Sequence, residues 1–238
     1  MTFNILFPMS PGFKMDLPQA SLFLGIIPAL ILLYIGLKGY EGQYKEKLIF
    51  LTFIVGIVAG VVAVLIEAVT RNMGLGFLFM VVLFPVLEQL LKTIILNIGR
   101  LQAKKETVIY GLSLGLGFGS VFTPFSLATS RFQTVISLPV IAWISLGSFG
   151  IILLQGATGT CIGYGVYTRK LARYVSLAVL FYIPVVFFTS LFQGEYLQIG
   201  VVAYGVIIYW YAIKRIMPQI LSQSKSRKRS KKIVTNIK

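Results

Sequence analysis

Seven apolar runs, near residues 20–37, 48–70, 75–99, 107–128, 134–167, 173–192 and 196–217, follow one another with only short polar breaks. Several approach or exceed the ~20 residues that an α-helix needs to cross a bilayer. The chain is 57% hydrophobic, with a mean hydropathy of +0.86. These features predict an all-α fold: a polytopic integral membrane bundle of about seven transmembrane helices. Loops of roughly 3 to 10 residues leave no room for a soluble domain. The expected organisation is a short external segment over 1–19, a helix bundle over 20–217 and a tail over 218–238.

The placement of basic residues is a second, independent reading, because short cytoplasmic loops accumulate Lys and Arg. Lys38, Lys45 and Lys47 fall in the first loop, Arg100, Lys104 and Lys105 in the third, and Arg169, Lys170 and Arg173 in the fifth. Lys214 and Arg215 follow the last run, whereas the intervening segments hold only Lys14, Arg71 and Arg131. The alternation predicts an external amino terminus and a cytoplasmic carboxyl terminus in the cell membrane. The first 19 residues lack the basic start, short apolar core and small-residue cleavage site of a secretory signal, so the first helix is expected to stay as an anchor. The lone Cys161 excludes an intramolecular disulfide and a Cys-rich zinc site.

Much of the net charge of +15 is this loop excess, and the tail is the exception. Lys225, Arg227, Lys228, Arg229, Lys231 and Lys232 form a dense basic run that reads as a solvated, disordered tail. Beside the bilayer, the expected partners of such a tail are anionic lipid headgroups, with ribosomal RNA as the alternative.

Two features of the spans bear on packing. Gly111, Gly115 and Gly119 recur every fourth residue in the fourth run, as do Gly159 and Gly163 in the fifth, a register that lets helices approach closely. The fifth run would be ~50 Å long as one straight helix against a hydrocarbon core of ~30 Å, so it must tilt, break near Pro139 or 145–148, or begin as an interfacial segment.

Inside the third run, Glu88 and Lys92 lie one helical turn apart. An ionisable side chain at such depth costs at least ~2.5 kcal/mol on insertion scales and marks a candidate site. Counted from the cytoplasmic ends, Glu88 is ~16 Å deep, Gln155 ~18 Å and Phe122 ~22 Å, so the three are able to surround one mid-membrane space. Peptide hydrolysis there requires a base or a metal-activated water. A chain with no histidine and one cysteine has only carboxylates for the task, Glu67 and Glu88 within the spans.

Glu88-Gln89-Leu90-Leu91-Lys92 resembles the Glu-Glu-x-x-Lys motif of the PrsW-type intramembrane proteases, which are related to the CAAX-processing membrane proteases. Gly115-Leu116-Gly117-Phe118-Gly119-Ser120-Val121-Phe122-Thr123 is similar to that family's Gly-x-Gly-Phe-Ala-x-x-Glu-Asn motif. Gln155 lies eight residues before Gly163-Tyr164, where the third motif has a histidine. The resemblance covers roughly residues 75–170. It implies acid/base or metal-binding groups at positions that here hold Gln89, Phe122 and Gln155. The expectation is a non-catalytic relative, without metal or cofactor, that binds transmembrane segments or membrane-protein clients. The alternatives are an active intramembrane protease using Glu88 and a small transporter or channel lined by Glu88, Lys92 and Asn97.

Overall fold

A computed structural model describes residues 17–72, 77, 79–102, 104–130, 138–191 and 195–220. Among these residues the regular structure is helical throughout. The helices are α1 (Leu17–Leu37), α2 (Glu46–Asn72), α3 (Phe84–Leu96), α4 (Thr107–Gly119), α5 (Phe122–Ser130), α6 (Leu138–Thr168), α7 (Leu171–Leu191) and α8 (Glu195–Tyr211). A π-helical turn, Phe79–Leu83, leads into α3, and a second, Ala212–Ile216, continues α8.

Among the described residues, five stretches are long and apolar enough to cross a membrane: Glu46–Thr70, Thr107–Ala128, Ile141–Thr168, Leu171–Leu191 and Tyr196–Ile220. Two of the seven apolar runs give shorter stretches: Ser21–Leu37, within the 21-residue α1, has 17 residues, and α3 has 13. Pro85 explains the second case. It sits in the first turn of α3, lacks an N–H, and its ring crowds the carbonyl of Val81, so the helix before it loosens into the π register.

Of the options for the fifth run, a break at Pro139 or 145–148 is not what the structure has; the break lies in the fourth run. α6 is continuous over 31 residues, with Pro139 in its first turn, where a missing N–H costs nothing. The fourth run instead breaks at Ser120–Val121 into α4 and α5. Pro124 cannot donate to the Ser120 carbonyl, and the Ser120 hydroxyl donates back to the Gly117 carbonyl at 2.7 Å. A Cβ on Gly25 of α1 would collide with that same Ser120 carbonyl oxygen, so only a glycine lets α1 lie across the break.

α4 is the axis of the bundle: every one of its residues is buried. It packs on α6 along one side and on α2 along another. On the α2 side, Gly56 and Gly60 lie against the backbone of Leu114 and Phe118, and the Ser113 hydroxyl donates to the Ile49 carbonyl at 2.7 Å. Farther out, Tyr209 of α8 donates to the Leu32 carbonyl of α1 at 2.9 Å, and Tyr204 of α8 to the Phe181 carbonyl of α7 at 3.0 Å. The outer faces are apolar: Phe50 and Val58 on α2, Ile94 on α3, Leu180 on α7 and Ile207 on α8 are all exposed. The buried polar set includes Glu88, Gln89, Lys92, Thr93, Gln155 and Thr158. Polar inside and apolar outside suits hydrocarbon rather than water as the surroundings.

The connections are tight. Between α1 and α2, Gly39 (φ +90°) and Gly42 (φ +72°) adopt left-handed conformations, and the Gly39 N–H donates to the Glu41 carboxylate at 3.0 Å. That bond holds the Glu41 carboxyl below the usual carboxylate range. Between α6 and α7, Arg169 is left-handed (φ 58°) and the Lys170 N–H returns to the Gly165 carbonyl at 3.0 Å, closing the end of α6.

Candidate functional site

α3 is amphipathic in an inverted sense. Leu87, Leu90 and Ile94 face outward, while Glu88, Gln89 and Lys92 face the bundle interior with 1%, 0% and 0% of their surface exposed. A helix repeat places positions i, i+1 and i+4 on one side, so a single turn delivers a carboxyl, an amide and an amine to one place. α6 brings Gln155 and Thr158 to the same point, and α7 brings Tyr182.

Gln155 sits between the two charged groups. Its side-chain oxygen accepts a hydrogen bond from Lys92 Nζ, and its Nε2 donates to Glu88 Oε2 at 2.6 Å. Lys92 Nζ also donates to Gln89 Oε1 at 3.1 Å and to Thr158 Oγ1 at 3.0 Å, so its three protons have three acceptors. The Phe118 ring lies beneath the ammonium, 4.8 Å from nitrogen to ring centre. The Tyr182 hydroxyl donates to Glu88 Oε1 at 3.4 Å. Thr158 donates onward to the Gln155 carbonyl at 3.1 Å, which fixes the acceptor it offers Lys92.

The amide does what neither a second carboxylate nor an apolar residue does. One end is a donor and the other an acceptor, so it satisfies an acid and an amine at once without adding charge to a low-dielectric interior. The cluster is closed, because its side chains fill the space between α3, α6 and α7 and expose almost none of their surface. One donor is left over. Gln89 Nε2 is buried and has no hydrogen-bond partner. Glu67, the other carboxylate within the spans, lies on α2.

The other sequence candidates divide by location. The glycine stripes meet each other. A Cβ on Gly163 would lie 2.6 Å from the Thr107 carbonyl oxygen, and one on Gly159 would lie 3.0 Å from the Gly115 Cα. Gly111 faces the Gly159 carbonyl and Gly115 the Gln155 carbonyl, while a Cβ on Gly119 would stand 2.8 Å from the Ile152 Cα. The seam between α4 and α6 therefore runs past Gln155. Phe122 is buried but belongs to a separate apolar cluster with Ala59, Ala63, Val64, Phe84 and Phe118, its ring 6.2 Å from that of Phe118. Thr123 is fully buried and its hydroxyl has no partner. The tail cations Lys225, Arg227, Lys228, Arg229, Lys231 and Lys232 lie outside the described residues, as do Lys14 and Arg131. The packed part of the chain continues past 217, with Met217 and Ile220 both buried.

Tyr182 and Phe118 are partners that the sequence reading did not single out for this site. Tyr182 is one aromatic among many in an apolar run, two residues before Pro184, and only the packing of α7 on α3 reveals its role. Among the described residues, no group of three or more His, Cys, Asp or Glu is placed to hold a metal ion.

Fold and site together define the class: an α-helical membrane protein with a closed, charged hydrogen-bond cluster in its interior. Comparison with protein-family models, with curated proteins and with solved structures gives no match for this chain.

Proposed function

We propose that this chain is a non-catalytic relative of the PrsW-type intramembrane proteases that binds transmembrane segments of other membrane proteins. The observation that carries the reading is the enclosure of Glu88, which is buried among side chains of α3, α6 and α7. One carboxyl oxygen accepts from the Gln155 amide and the other from the Tyr182 hydroxyl. A general base needs a lone pair that a water can reach, and Gln155 stands where the resemblance expects a histidine. In this proposal the chain spans the cell membrane seven times, with α1 and the segment 79–96 as the two shorter crossings, and its amino terminus is external. The alternation of basic loops supports that topology.

Reconstitution with a single-span substrate tests the reading. No cleavage is expected, and proteolysis lost in Glu88→Ala overturns it in favour of a protease with Glu88 as sole base. Client binding is tested by a photoreactive residue at the exposed Ile94, on the helix that carries Glu88 and Lys92, against one at the outward-facing Leu180. Discrete adducts containing a transmembrane segment are expected from Ile94 alone, and equal capture from both positions removes the binding role. Topology is read by impermeant maleimide on intact cells: Lys14→Cys should label from outside, and Lys104→Cys and Arg169→Cys should not.

A further inference from the structure

A groove of about 260 Å3 runs between α1 and α2, and none of its lining residues belongs to the polar cluster. Leu33, Ile49 and Phe53 are buried and form its floor, and the exposed Leu30 and Phe50 form its rims. At one end it is closed by Leu37, Tyr44 and Glu46, in and beside the polar loop that joins the two helices. From Leu37 to Leu30 the groove descends seven residues, ~10 Å of helix, which is within the ~15 Å depth of one hydrocarbon leaflet. It thus starts at a membrane interface and runs down into the acyl region, in the direction that a lipid chain takes.

The mouth carries one carboxylate, with exposed lysines next to it in the chain. Glu46 lines the groove, and the exposed Lys45 and Lys47 flank it in sequence, while Lys38 directly follows the lining residue Leu37. Lysine ammoniums suit a phosphate, and the Glu46 carboxylate suits a primary ammonium one headgroup length away. We propose that the groove between α1 and α2 is a binding site for an aminophospholipid of the phosphatidylethanolamine type, one acyl chain lying along Leu33, Ile49 and Phe53 and the headgroup amine on Glu46.

The test uses the full chain reconstituted in vesicles of equal phosphatidylethanolamine, phosphatidylcholine and phosphatidylglycerol, extracted in mild detergent and weighed intact by native mass spectrometry. One retained phosphatidylethanolamine per chain is expected. Leu30→Trp, at an exposed rim where folding is not at stake, should fill the groove and remove the retained lipid, as should Leu33→Trp from the floor. Leu180→Trp, on α7, should leave it in place. Glu46→Gln should cut the preference over phosphatidylcholine by roughly threefold, the scale of an exposed ion pair. Retention of phosphatidylglycerol or phosphatidylcholine instead, retention unaffected by Leu30→Trp, or a mass of two chains with no lipid overturns the assignment.

Discussion

α6 takes part in two contacts of opposite character within a few residues. Against α4 it offers Gly159 and Gly163, and backbone meets backbone with no side chain between. Against α3 it offers Gln155 and Thr158, and side-chain hydrogen bonds join the two helices there. Gln155 belongs to both, because its backbone carbonyl faces Gly115 while its amide joins Glu88 and Lys92. In lipid there is no hydrophobic drive between helices, so close packing and buried polar bonds are the two means of holding a bundle together. Here the first sets the position from which the second operates.

The sharpest way to break the comparison is to widen the seam. Gly115→Leu places a branched side chain where even a Cβ collides with the Gln155 carbonyl oxygen, and backbone cannot step aside as a flexible side chain does. We expect at least about 3 kcal/mol of destabilisation, at or beyond the upper end of ordinary overpacking, with loss of folded protein in detergent by size exclusion. The polar cluster should fail with it, because Gln155 moves when α6 moves. A Gly115→Leu variant that folds normally would show that the seam is not what positions the amide.

Breaking the cluster while leaving the seam intact should cost less. Gln155→Leu keeps the backbone contact with Gly115 and removes both the acceptor for Lys92 and the donor for Glu88. Leaving buried charge without its partner costs about 3 kcal/mol in water-soluble proteins, and less in a membrane, where the unfolded reference also finds partners. About 2 kcal/mol is expected from equilibrium unfolding in mixed micelles. The single variants Lys92→Met and Glu88→Leu should each be similarly destabilised. The double variant Glu88→Leu/Lys92→Met should be closer to wild type than either, since a buried ion pair is often replaceable by apolar residues of similar volume. A double variant as damaged as the sum of the singles would mean that the two charges do not act through one amide.

The two regions were not equally legible in the sequence. The seam was visible because glycines four apart have a fixed geometric meaning on any helix, and their facing partners carry the same repeat. Glu88 and Lys92 were visible because charge is rare in apolar runs. Depth alone makes Phe122 a third wall of the same space but does not fix its face; it packs with Ala59, Ala63 and Phe84 and adjoins the polar cluster through Phe118. The turn at Ser120–Val121 was illegible because Pro124 acts on a carbonyl four residues earlier, inside a run that looks uniformly helical. The shortness of α3 has the same kind of cause in Pro85.

Tyr182 sets the lower limit of the comparison, since it is the partner that no spacing rule could have named. Its hydroxyl reaches Glu88 Oε1 at 3.4 Å, longer than the 2.6 Å from Gln155 to Oε2, so the carboxyl is held from α6 more than from α7. Tyr182→Phe keeps the buried ring and removes only this bond. We expect about 0.5 kcal/mol, near the average for interhelical hydrogen bonds in membrane proteins. A cycle combining Tyr182→Phe with Glu88→Gln should return a coupling of the same small size. A cost near that of Gln155→Leu would instead give α7 an equal share in holding Glu88, and the cluster would then join three helices on equal terms instead of joining α3 mainly to α6.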